Sequence, residues 1–93
     1  MLKITHDTSR DGITLRLEGR IAGRWVGELW RAYHDRRQHS RMALTIDLTN
    51  VTFIDGAGVA FFEDVADEIA LVNCSLFAAE RLKSVLARQA VGR

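Results

Sequence analysis

The chain has no proline, a single cysteine and no apolar run that approaches the length of a membrane span. It also lacks Gly/Ser-rich linkers, repeats and low-complexity tracts, so nothing divides residues 1–93 into more than one domain. One cysteine, Cys74, excludes an internal disulfide framework. An excess of one sign of charge is missing too. Thirteen basic residues against twelve acidic ones leave a net charge of +1, so no long-range field favours nucleic acid or an anionic membrane. The N-terminus does not show a basic segment followed by a hydrophobic one. These absences lead us to expect a cytoplasmic protein, or a soluble domain working beside a membrane complex. What is present is ample material for a core, since 47% of the residues are apolar.

The patterning predicts the order β-β-α-β-α-β-α. Leu2 to His6 reads as a short edge strand, and Asp11-Gly12 as the turn of a hairpin. Ile13, Leu15 and Leu17 alternate with Thr14, Arg16 and Glu18, giving the second strand one dry and one wet face. Gly19 to Ala22 is read as a turn into a helix over 23–38, with Val26, Leu29 and Tyr33 on its dry side and Trp25 and Trp30 at the margin. A third strand is expected over 42–48, ending at Asp47-Leu48 in a polar turn. A helix is expected from Gly56 on the stripe Phe62, Val65, Ala66 and Ile69, with Phe61 at its edge. A fourth strand near 73–78 and a helix over 80–90 on Leu82, Val85, Leu86 and Ala90 complete the chain. The fold class expected is α/β: a four-stranded, mostly parallel sheet with an N-terminal hairpin and three helices mainly on one face. Strict alternation carries that last point, because parallel strands covered on both sides read as continuous apolar runs.

The richest segment is Asp47-Leu48-Thr49-Asn50-Val51-Thr52-Phe53-Ile54-Asp55-Gly56-Ala57-Gly58. Asp55 is placed to cap the following helix by accepting N–H groups of its first turn. The small residues after it let other molecules come close. General acid–base catalysis needs a second positioned group, and Asp47 is the only obvious carboxylate nearby. Asp47 itself reads as the residue that ends the strand and ties down the loop. Gly56-Ala57-Gly58 at a helix start has the makings of a phosphate cradle but lacks the lysine and hydroxyl of a P-loop.

Other candidates have plain readings. His6, His34 and His39 show no metal-ligand spacing, and Cys74 has no partner. Arg36, Arg37 and Arg41, with His39, form a small basic cluster that complements the dipole at the end of the first helix. Trp25, Trp30 and Phe61 are core-margin aromatics that could contact a partner.

Leu17-Glu18-Gly19-Arg20-Ile21, Ile46-Asp47-Leu48 and above all Val51-Thr52-Phe53-Ile54-Asp55-Gly56-Ala57-Gly58-Val59 resemble the STAS domain family over nearly the whole chain. That family includes anti-sigma-factor antagonists, tails of anion transporters and subunits of lipid-transport ABC systems. The resemblance implies a non-enzymatic module of bacterial signalling and transcription control, without cofactor. It would bind an anti-sigma/kinase-type partner, or a transporter ATPase subunit, through residues 49 to 62. The residues implied in contact are Thr49, Asp55, Gly56, Ala57, Gly58, Val59 and Phe61. In antagonists of this kind, a hydroxyl residue just before the signature glycine is phosphorylated to block binding. Ala57 stands there and cannot be modified. Thr49 and Thr52 are the nearest hydroxyls, with Thr49 expected in an accessible turn.

Overall fold

The computed structural model describes residues 1–39 and 41–91, apart from the side chains of His39 and Val91; the place of His39 in the basic cluster therefore lies outside the described residues. The elements run β1 (Leu2–Ser9), β2 (Gly12–Ile21), α1 (Arg24–His39), β3 (Leu44–Ile54), α2 (Gly56–Val65), β4 (Ile69–Val72), α3 (Leu76–Arg81) and α4 (Lys83–Val91). The strands form one four-stranded sheet in the order β1-β2-β3-β4. β1 and β2 are an antiparallel hairpin, while β2, β3 and β4 are mutually parallel. The α/β class, the hairpin and the parallel remainder are as the patterning implies.

The hairpin closes with Ser9 facing Gly12 across a two-residue turn. Gly12 has φ +153°, and a Cβ there would sit 2.4 Å from the Ala43 carbonyl oxygen, so the start of β2 needs glycine both for its torsion and for its contact with the chain entering β3.

Alternation sets the two faces of the sheet. Ile13, Leu15, Leu17, Leu44, Ile46 and Leu48 are buried in a single core with Val26, Leu29 and Tyr33 of α1, Phe61, Phe62 and Val65 of α2, Ala78 of α3 and Val85 of α4. The opposite face carries Thr5, Asp7, Thr14, Arg16, Thr45 and Asp47, with Arg16 placed between Asp7 (3.5 Å) and Asp47 (3.8 Å). All helices thus serve one face. At about 25 cal/mol per Å² of apolar surface, burial of this one layer is the main stabilising contribution.

Four boundaries differ from the sequence expectation. β2 continues through Gly19 to Ile21 where a turn was expected. β3 does not stop at Leu48 but runs on to Ile54. Its register against β2 shifts twice, between the pairs Arg16–Asp47 and Glu18–Asn50 and again between Gly19–Val51 and Arg20–Phe53. Each shift places one extra residue in β3, which is a bulge. The core-facing residues are therefore spaced two apart at Leu44, Ile46 and Leu48, then three apart at Val51 and Ile54, and the broken alternation looks like a turn.

The fourth strand lies at Ile69–Val72 instead of 73–78. Ile69 falls four residues after Val65 and so mimics one more turn of the α2 stripe; a short apolar run cannot be assigned to strand or helix by periodicity alone. Asn73, at φ +58°, turns the chain out of β4. Ser75 then caps α3 by accepting from Ala78 N–H. The single last helix expected over 80–90 is two helices that break at Leu82, a fully buried residue. No glycine or proline marks that break.

The basic cluster does more than complement a dipole. The Arg37 guanidinium donates to the carbonyl oxygens of Met42 (3.0 Å) and Glu68 and lies over the Tyr33 ring. It joins the end of α1 to the chain on either side of the β3-α2 unit. Tyr33 adds a hydrogen bond to Glu68 at 2.9 Å.

Candidate functional site

The strand-to-helix connection at Ile54-Asp55-Gly56 is where three elements meet. Asp55 has extended backbone angles and stands at the N-cap of α2. One carboxylate oxygen accepts from the N–H of Gly58 (2.8 Å), as a cap does. The other accepts from the N–H of Gly23 (2.9 Å), just before α1. Its own N–H donates to the Ile21 carbonyl at 3.0 Å. Arg81 of α3 donates through Nε to the Ile54 carbonyl at 3.0 Å. One carboxylate therefore serves the entries of two helices, and the third helix holds the residue before it.

These N–H groups, Gly23 first and Gly58 next, hold the Asp55 carboxyl below the usual carboxylate range. A depressed folded-state pKa adds stability above the unfolded value, and that stability is lost as pH falls through the folded value. Asp55→Asn keeps a capping side chain but removes one of the two acceptor oxygens. At neutral pH the variant should unfold at a lower temperature than the wild type. The gap should narrow once the pH drops below the ordinary carboxylate range. Thermal unfolding followed by circular dichroism across the acid range measures it, and a gap of constant size would contradict the double-acceptor role.

Both Asp55 oxygens are taken up as acceptors at the start of α2. A phosphate there would meet a carboxylate already seated on the N–H groups it needs, so the anion-cradle reading of Gly56-Ala57-Gly58 has the local electrostatics against it. The remaining side chains of residues 56–59 are a methyl and an isopropyl group.

The site residues suggested by sequence do not form one patch. Gly56 and Ala57 are exposed, Val59 is half-buried, and α2 begins at Gly56 as expected. Gly58 is buried: a Cβ there would lie 2.9 Å from Cγ2 of both Ile21 and Ile54 and 3.0 Å from the Ile21 carbonyl oxygen. It is the packing point of α2 on the sheet. Phe61 is also removed from the surface. It is 0% exposed, packed edge-on against Trp30 at 4.7 Å, Phe62 at 5.1 Å and Tyr33 at 6.0 Å. The periodicity of α2 sets Phe61 at the edge of the dry stripe, and Trp30 and Tyr33 of α1 cover that edge.

Thr49 is exposed, but it lies inside β3 at the first bulge and not in a turn. Asp47 accepts from its N–H at 2.9 Å and from its hydroxyl at 2.6 Å. The bulge leaves an N–H without a ladder partner, and this carboxylate supplies one. Thr49's hydroxyl, aided by its N–H, Asn73 and Arg16, holds the Asp47 carboxyl below its usual range against the opposing effect of burial. Asp47 thus ties down the chain as the sequence suggested, from mid-strand. Its network and that of Asp55 share no residue.

Sequence reasoning missed Gly23 and Arg81, which fix the connection, and Arg20, whose guanidinium stacks on the half-buried Phe53 ring at 4.4 Å. Their contacts span 27 to 33 residues, and no local pattern signals them. Among the described residues, no three His, Cys, Asp or Glu side chains gather as a metal-binding group, and no helix is long and apolar enough to cross a membrane.

No curated protein matches the chain. A family model described as "Mlab, STAS domain" matches residues 4–90, from within β1 to within α4. The β1-β2 hairpin followed by two further strands parallel to β2, with a capped glycine-containing helix start after β3, is the setting in which that match falls, and the chain belongs to the STAS domain family.

Proposed function

We propose that this protein is a non-enzymatic docking module that binds an anti-sigma/kinase-type protein through Asp55, Gly56, Ala57 and Val59, and that it does so without a phosphorylation switch. STAS domains act in protein interactions, in anti-sigma antagonism or in transport assemblies. The observation that carries the reading is Ala57, exposed in the first turn of α2, where antagonists carry the hydroxyl that is modified. An unmodified hydroxyl and a methyl group are alike in size and charge. Such a domain is always competent to bind, and its activity is set by abundance or by the state of the partner.

Affinity capture from the native cell, with mass spectrometry, identifies the partner. Titration calorimetry then compares wild type with Ala57→Asp. Partner affinity should fall about tenfold, or roughly 1.4 kcal/mol, because an uncompensated charge is desolvated in the contact. The unfolding free energy should change by no more than about 0.5 kcal/mol, as usual for an exposed substitution. Equal affinities would mean that the α2 start is not the docking site.

Ala57 also favours a second reading, an accessory subunit of an ABC-type lipid transporter. A permanently assembled subunit needs no switch at that position. The captured partner separates the two: a kinase-like anti-sigma factor for the first, a transporter ATPase for the second.

A further inference from the structure

A sheet of four strands has two edges, and here they are finished differently. β4 has four residues, and Gln89 of α4 donates its amide to the Ile69 and Ala66 carbonyls at 3.0 Å. β1 has eight residues, and among the described residues no strand lies beyond it. The Arg20 N–H donates to the Met1 carbonyl at 3.1 Å. Given the hairpin register and the alternation of an antiparallel ladder, Lys3, Thr5, Asp7 and Ser9 turn their backbone groups toward β2. Leu2, Ile4, His6 and Thr8 turn theirs outward. On the helical side α1 stands back from this edge, leaving an open groove lined by Ile4, His6, Glu28, Arg31, Ala32 and Asp35.

We propose that the β1 edge pairs with the β1 edge of a second copy of this chain, antiparallel about a two-fold axis at Thr5, to give a continuous eight-stranded sheet. The register follows from the residues. Outward groups must meet outward groups, so Leu2 pairs with Thr8 of the second copy and Ile4 with its His6, and the two-fold repeats both pairs. This register uses all four outward residues. It also places Lys3 opposite Asp7 of the second copy, twice, at sites where facing side chains come closest. Both are largely exposed, at 72% and 61%, and their own-chain pairings with Glu18 (3.9 Å) and Arg16 (3.5 Å) lie on the same polar face. A slip of two residues either way sets Lys3 against Thr5 or Ser9 and loses both charge pairs. The interface uses none of the residues Asp55–Val59.

Sedimentation velocity on the full chain should show a concentration-dependent monomer–dimer equilibrium. His6→Pro removes an outward N–H that no strand of its own chain uses, a position an edge strand tolerates. It should leave the circular dichroism spectrum folded and the protein monomeric. Lys3→Asp should weaken the dimer about tenfold or more, and adding Asp7→Lys should restore it, because the swap re-forms the pairs between copies. Thr5→Cys, in a Cys74→Ser background, should oxidise to a disulfide-linked dimer, since facing Cβ atoms at such a site lie within disulfide range. A protein monomeric at all concentrations, a dimer indifferent to Lys3→Asp, or a Thr5→Cys variant that does not cross-link would each overturn the proposal.

Discussion

Truncating Phe61 to alanine is expected to lower the free energy of unfolding by about 3–5 kcal/mol, the cost of a fully buried ring replaced by a methyl group. The size follows from placement. Phe61 is 0% exposed and lies at the centre of four aromatic rings, touching Trp30 and Tyr33 on α1 and Phe62 on its own helix. Edge-to-face pairs add about 0.5–1.5 kcal/mol beyond the area they bury, and the truncation breaks three at once. A domain of this size has about 5–15 kcal/mol of stability in total, so the variant stands close to the folding limit. Urea titration monitored by circular dichroism gives the value, with the slope checked for constancy. Trp30 emission should shift to the red as its neighbour is lost. Phe61→Leu keeps most of the volume and should cost clearly less, which keeps the test usable if the alanine variant does not fold. A loss below about 1 kcal/mol for Phe61→Ala would place the ring outside a packed core. It would also reinstate Phe61 as a surface residue available to a partner.

Two glycines two positions apart should respond to alanine with opposite sign. Gly56→Ala adds a methyl group where nothing lies within 4 Å, on a helical residue. It should stabilise by about 0.4–1 kcal/mol by restricting the unfolded chain. Gly58→Ala gains the same helical preference but drives its Cβ to 2.9 Å from two branched side chains and 3.0 Å from a backbone oxygen. Neither Ile21 nor Ile54 can yield, since both are buried in the strands that α2 packs on. Overpacking of this kind costs about 1–3 kcal/mol, so the net effect is destabilising. The displaced first turn also moves Gly58 N–H off Asp55, so melting of Gly58→Ala should lose part of its acid dependence, the part held by Gly23 remaining. Thermal unfolding of the two single variants beside wild type decides the matter. Equal responses would mean that the close approach of α2 to β2 and β3 is not real.

The sequence states plainly whatever is local and periodic. The hairpin between the first two strands (its turn at Arg10-Asp11, one residue before the Asp11-Gly12 expected), the alternation of Ile13, Leu15 and Leu17, the stripe Val26-Leu29-Tyr33 and the cap at Asp55 are all of that kind, and the structure has each of them. What was not legible depends on packing between distant segments. β3 reads as broken because two bulges interrupt its period, and their repair by Asp47 is visible only when Thr49 is seen beside it. Ile69 reads as helix because four residues separate it from Val65. In the site, Ala57 and Asp55 could be picked out from the chain, whereas the burial of Gly58 and Phe61 is decided by Ile21, Ile54 and Trp30, which lie on other elements, 4 to 37 residues away along the chain.

The double hold of Asp55 bears on the kinetics and thermodynamics of recognition. A loop that must choose one shape among many on meeting a partner loses conformational entropy at that moment, and affinity falls by the same amount. Here the entropy is already lost in the free protein, since Gly23, Gly58, Ile21 and Arg81 fix the segment from four sides. Under the docking function proposed above, a partner would meet this surface as one rigid body meets another, with backbone shifts of about 1 Å or less. Association is then governed by encounter and orientation, and mutations at its rim express themselves in how long the complex lives.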